Sequence, residues 1–138
     1  MIGILLVTHG ALGESLIHAA SHVLNKRPQR LKHLGVTAQD DPALLLPLAR
    51  EQIQELDDGT GVLVLTDMYG GSPSNMVSKL IVPGKIEAVA GISLPMLIRV
   101  LTYRDRDLQT IITKAISGGC EGVMRVPIFR LRNAATGS

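Results

Sequence analysis

The sequence predicts an α/β fold: a doubly wound, mostly parallel sheet of strand order 2-1-3-4, closed by a short C-terminal antiparallel strand. Three observations predict it. Aliphatic runs too short for helices, Ile2–Val7 and Gly61–Thr66 among them, alternate along the chain with stretches of helical length and helical apolar spacing. The clearest of these runs are continuous rather than alternating, which marks strands covered on both faces. Cap and turn signals, such as Asp40-Asp41-Pro42, Pro83-Gly84 and Ser93-Leu94-Pro95, separate them. Strands joined through helices in this way call for right-handed crossovers and a sheet layered between helices.

Ile2–Val7 supplies the first strand, and Gly10-Ala11-Leu12-Gly13 leads into a helix over 12–25, with Leu12, Leu16, Ala19, Ala20 and Val23 on one face. Leu31–Thr37 forms the second strand. A helix then runs from the Asp41-Pro42 start to Leu56; within it Pro47 either kinks the helix or marks its true first turn. Gly61–Thr66 is the third strand, followed by Asp67-Met68-Tyr69-Gly70-Gly71-Ser72-Pro73 and a helix from Pro73 to Leu80. Ile86–Ile92 is the fourth strand. A helix starts at Ser93-Leu94-Pro95, another covers 107–117 and is stopped by Gly118-Gly119, and Glu121–Val126 forms the last short strand. The expected organisation is one domain over 1–126 and a C-terminal tail, 127–138, that is disordered or in part a vector-derived remnant.

Composition removes several function classes. The chain has 138 residues, 46% of them hydrophobic and 19% charged, with a mean hydropathy of +0.27, which suits a single globular domain. The net charge is +2, but residues 1–124 carry 11 Lys/Arg against 12 Asp/Glu; the excess sits in Arg125, Arg130 and Arg132. No face is marked as basic, and Tyr69, Tyr103 and Phe129 are too few aromatics for a base-stacking platform, so nucleic acid is not an expected partner. One cysteine, Cys120, excludes a disulfide within the chain and points to a reducing compartment. Ile2–Val7 is far short of the ~20 residues of a spanning helix and lacks a basic leader, and Ile92–Leu101 is interrupted by Pro95 and Arg99. The expected location is the cytoplasm.

The topology turns the fold into a site. Ligands of doubly wound sheets sit beyond the carboxyl ends of the strands, where strand order reverses. With the first strand between the second and third, that point lies between strand ends carrying His9 and Asp67, ~4.8 Å apart at neighbouring strands. A carboxylate bonded to one imidazole nitrogen fixes the ring's tautomer and leaves the other nitrogen a free lone pair, a nucleophile or base near neutral pH. Gly10, Gly70, Gly71 and Ser72 surround the pair, and backbone amides at glycines and at a helix start suit a bound phosphoryl group. No cofactor is implied, and no Cys, His and carboxylate set has metal-ligand spacing.

Plainer readings stand beside this one. His9 can be a rim histidine bonded to backbone, Asp67 and Ser72 can be helix caps, and Gly70-Gly71 a tight turn. His18 and His22 are four apart on one helix but lie away from its apolar face and lack a third ligand, so they read as solvated surface. Cys120 reads as a small buried hydrophobe, Arg99 and Arg104 as solvated helix charges, and His33 carries no assignment. A receiver-like switch on Asp67 wants an acidic pair at the first strand end for Mg²⁺, where Thr8-His9-Gly10 stands. A hydrolase built on Ser72, His9 and Asp67 lacks the Gly-x-Ser-x-Gly elbow.

Four segments, Thr8-His9-Gly10, Asp67-x-x-Gly70-Gly71-Ser72-Pro73, Gly91-Ile92-x-x-Pro95-Met96 and Glu121-Gly122-Val123, together resemble the IIA domain of the mannose-type bacterial sugar phosphotransferase system, in the same order and spacing over residues 2 to about 126. The resemblance implies a cytoplasmic phosphocarrier that takes a phosphoryl group from the small protein HPr and passes it to a IIB component, here on a separate chain if present. It maps the acceptor onto His9 and the orienting carboxylate onto Asp67, and implies a homodimer that exchanges the last strand. The Gly-Gly-Ser-Pro turn favours this family over the similar phosphocarrier subunit of dihydroxyacetone kinase. Tyr69 stands where Trp or Phe is often seen. The alternative is a regulatory switch of an incomplete phosphotransferase system, in which phosphorylation of His9 sets protein binding rather than sugar transport.

Overall fold

A computed structural model describes residues 1–129. Its four strands, β1 (Gly3–His9), β2 (Leu31–Val36), β3 (Val62–Thr66) and β4 (Ile86–Ala90), form one sheet ordered β2-β1-β3-β4, with every neighbour parallel. The expected fold class and strand order are therefore those observed. Five helices cover it: α1 (Leu12–Leu24), α2 (Pro42–Leu56), α3 (Ser72–Ser78), α4 (Leu94–Tyr103) and α5 (Leu108–Glu121). The period of two along β1 sends Ile4 and Leu6 into a core with α1, α4 and α5, and Leu5 and Val7 into a core with α2 and α3. Because neither face meets water, the strand tolerates no polar residue until its rim, which is why its apolar run is unbroken.

Several boundaries differ from the sequence reading, each for a local reason. β1 runs on to His9 because its ladder with β2 continues through Thr8↔Gly35 and His9↔Val36. On α1 the buried residues are Gly13, Ile17 and Ala20, whereas Leu12 and Val23 are exposed. The helix is rotated because Gly13 lies so near β1 that a Cβ there would stand 3.1 Å from Thr8 Oγ1; a glycine carries no hydropathic signal. Asp41 caps α2 by accepting the Ala43 amide, and Pro47 sits inside the helix, which continues through it to Leu56. β4 stops at Ala90, before Gly91 at φ +91°.

α5 is not stopped by Gly118-Gly119 but runs through them to Glu121. The glycines serve close packing instead: a Cβ on Gly118 would meet Arg99 Cβ at 3.0 Å, one on Gly119 Met96 Cε at 2.8 Å, and one on Gly122 Pro95 Cβ at 2.6 Å. An Arg99–Glu121 ion pair and an Arg99 bond to Ser117 fasten the same seam. Glu121–Val126 forms no strand: Glu121 ends the helix, and Val123, Met124, Val126, Ile128 and Phe129 are all exposed. A strand needs an edge to pair with, and within the described residues this segment is laid against none. Arg130, Arg132 and Asn133–Ser138 lie outside the described residues.

Two side chains contradict the reading of them as ordinary. Cys120 is exposed rather than buried, in the last turn of α5. Arg104 is only 5% exposed. Its guanidinium donates to the carbonyls of Ile2 (2.9 Å), Arg30 (2.8 Å) and Gln29, gathering three chain segments at the end of the sheet remote from His9. Burial, with the nearby Arg30 charge, lowers its pKa to about 10, so it stays a cation at neutral pH.

Candidate active site

The adjacent ends of β1 and β3 bring His9 and Asp67 together. His9 Nδ1 lies 2.9 Å from Asp67 Oδ2, and the same oxygen accepts the His9 backbone N–H at 2.9 Å. The other oxygen, Oδ1, accepts the Met68 N–H at 2.9 Å. Asp67 thus caps no helix; it is bound to three donors, two of them on His9. Its side chain is 12% exposed and that of His9 50%. Burial on its own would raise the Asp67 pKa, but the His9 amide, the His9 ring and its charge outweigh burial, and the carboxyl is held below the ordinary range. An ionised Asp67 can only accept, so Nδ1 is the protonated ring nitrogen and Nε2 keeps its lone pair.

Glycines shape the wall facing Nε2. A Cβ on Gly71 would stand 3.0 Å from His9 Cε1 and 3.3 Å from Nε2, so only glycine lets that backbone approach the ring. Gly10 (φ +52°) and Gly70 (φ +92°) adopt left-handed backbone, the first turning the chain directly after the histidine. Gly71, not Ser72, is the N-cap of α3; Ser72 is its first residue, one earlier than the sequence implies, and its hydroxyl makes no capping bond. All six residues expected at the site therefore lie at one rim.

The family model described as "PTS system fructose IIA component" matches residues 3–116. The chain belongs to this family. Among curated proteins, this IIA chain is 31% identical over 137 residues to the PTS system mannose-specific EIIAB component of Escherichia coli K12, covering 97% of this chain and 42% of that protein. The chain thus spans less than half the length of the curated relatives it matches. Among solved structures, the mannose/sorbose specific IIA subunit from Enterococcus faecalis aligns at TM-score 0.82 and 20% identity, over 95% of this chain and 98% of that one. Phosphotransferase system component EIIA from Streptococcus agalactiae aligns at TM-score 0.80 and 23% identity, over 91% and 97%. These two likenesses show the fold. Family membership carries a general role in sugar phosphotransfer.

Other residues at this rim of the IIA chain have no assignment from sequence. Thr8, buried behind His9, accepts the Gly13 amide at 2.8 Å and so ties the end of β1 to the first turn of α1, whose own N-cap, Ala11, has no side-chain acceptor. Gly35 on β2 faces the turn: a Cβ there would stand 2.3 Å from the Gly10 carbonyl oxygen. Only the invariant need of parallel strands for close backbone approach hints at it, and no motif does. Thr66, 2% exposed, precedes Asp67 and holds a hydroxyl with no hydrogen-bond partner among the described residues. An unpaired buried hydroxyl costs about 1–3 kcal/mol. Thr66→Val, nearly isosteric, is therefore expected to raise unfolding stability by about 1 kcal/mol in urea titrations; a loss of that size would show the hydroxyl to be paired.

Among the described residues no three His, Cys, Asp or Glu side chains stand close enough to hold a metal ion, and no helix is long and apolar enough to cross a membrane. His18 and His22 are exposed on α1.

Proposed function

We propose that His9 carries a phosphoryl group on Nε2, taken from HPr and passed to a IIB component, in the cytoplasm. The observation that carries this reading is the 2.9 Å contact of Nδ1 with Asp67, which leaves Nε2 as the nucleophile of a half-exposed ring. In the forward step the Nε2 lone pair attacks phosphorus, an N–P bond forms to His9, and the N–P bond to the donor imidazole breaks, the electron pair leaving with the donor nitrogen. His9 now has Nδ1–H and Nε2–P, so the ring becomes cationic. The Asp67 carboxylate, already hydrogen-bonded to Nδ1–H, stabilises that charge without rearrangement. Backbone amides around Gly70 and Gly71, with the Ser72 hydroxyl, receive the phosphoryl oxygens, while the Gly10 amide, donated to the Val36 carbonyl at 3.0 Å, holds the turn in place. Transfer to IIB is the same displacement with His9 as the leaving group.

The exposed apolar segment Val123–Phe129 supports the homodimer in this reading, since burying it on the outer edge of β4 of a second copy removes it from water. The test supplies phosphoenolpyruvate, the first enzyme of the system and HPr to ¹⁵N-histidine-labelled protein and maps the phosphate by ¹H, ¹⁵N and ³¹P NMR. An acid-labile, base-stable phosphate on His9 Nε2 is expected. Phosphate on Nδ1, on Ser72 or Asp67, or on nothing overturns the reading.

A further inference from the structure

Beside the His9 rim, the carboxyl end of β2, the first turns of α2 and one face of α3 enclose a cleft of about 320 Å³. That is the lower end of the range for small-molecule sites. Its floor is apolar: Val36 and Met76 are buried, and Leu45 and Leu46 pack on the same core. Ser72 and Asn75 on α3 and Lys79 at its C-cap, spaced i, i+3 and i+7, line one wall. Asp40 and Thr37 form the opposite rim.

The charges on these walls differ in how far they are already used. Asp40 Oδ2 accepts the Thr37 amide at 2.7 Å and its hydroxyl at 3.0 Å. The Lys79 ammonium and the Asn75 amide have no hydrogen-bond or ion-pair partner among the described residues. A second cation stands near, because Arg50 donates to the Lys79 carbonyl at 3.5 Å. We propose that this cleft binds a small monocarboxylate with a short aliphatic body. The chain lies on Leu45, Leu46 and Met76, and the carboxylate meets Lys79 and the Asn75 amide. One carboxylate is preferred to two because the Asp40 charge at the far rim repels a second anion.

The cleft touches the site at two points. Val36 is the register partner of His9, and Ser72 follows the glycine packed on the His9 ring. Occupancy therefore restrains the 70–72 turn and changes the rate of His9 phosphorylation. That coupling rests on the phosphocarrier reading; the binding does not.

The test is a ¹H–¹⁵N NMR titration of the full unphosphorylated chain with hexanoate, hexanol and adipate. Hexanoate is expected to give saturable shifts centred on Leu45, Asn75, Met76 and Lys79, at least tenfold tighter than hexanol or adipate. Lys79→Glu, an exposed position, should weaken hexanoate at least tenfold, while Asp40→Asn should narrow the gap to adipate. Equal binding of hexanol, or no saturable shift at millimolar hexanoate, overturns the proposal; the first outcome would make the cleft a seat for an apolar side chain of a protein partner. A separate arm measures phosphorylation with and without hexanoate. An unchanged rate removes the coupling alone, and absence of phosphorylation in both removes the His9 reading while the titration still stands.

Discussion

His9→Ala is expected to take up no base-stable phosphate from HPr while remaining folded. Nothing else at the rim can replace the ring. The Ser72 hydroxyl is neutral and has no base bonded to it, and Asp67 would form only an acyl phosphate, which base destroys. Half of the imidazole is solvated, so removing it costs little burial; the loss is the ring's bond to the Asp67 carboxylate, about 1–2 kcal/mol of stability, which leaves the protein folded. The pair of measurements separates chemistry from folding: radiolabel transfer from phosphoenolpyruvate through HPr, and a melting curve on the same sample. Base-stable label surviving the substitution would place the acceptor elsewhere.

Asp67→Asn is expected to lower the phosphorylation rate by up to about ten-thousandfold, the loss that the same change causes at the histidine of a serine-protease triad. The reason lies in the count of donors. Asp67 accepts from the His9 amide and ring through Oδ2 and from the Met68 amide through Oδ1. An asparagine has one accepting oxygen and one NH₂, so in either orientation an N–H faces an N–H, and the ring loses both its fixed tautomer and its counter-charge. Stability carries a second signature. The folded-state pKa of Asp67 is depressed, so its contribution is fully present above the unfolded carboxyl value, near 3.9, and is lost as pH falls through the folded value. The stability gap between wild type and Asp67→Asn in urea should be widest near neutral pH and close below about pH 4. A gap that stays constant with acid would mean that the carboxylate's bonds to His9 contribute nothing to folding.

The pairing behind both predictions was legible from sequence because it depends on strand order alone. Unbroken aliphatic runs made the strands visible, the crossovers fixed which ends are neighbours, and the polar residues that close β1 and follow β3 had to meet. What escaped notice obeys shorter-range rules. The rotation of α1 is decided by Gly13, the length of α5 by Gly118 and Gly119, and the shape of the rim by Gly35, all through the absence of a side chain. A glycine read in isolation announces a turn, and only the neighbour it admits distinguishes a turn from a seam. Arg104 differs from its sequence reading for a related reason: a cation on a helix end looks solvated until carbonyls of two distant segments, at Ile2 and at Gln29-Arg30, converge on it. The C-terminal segment has a strand-like pattern, yet among the described residues it lies against neither free edge of the sheet.

The Arg104 clasp and the Met1 ammonium on Asp58 (3.1 Å) lie at the amino ends of the strands. The sheet is thereby tied at its root, chiefly by the buried Arg104, as a beam is held in a wall. Whatever gives way when another protein presses on the opposite tip must be the loops that hang there, and the residues inside the beam can stay still while it happens.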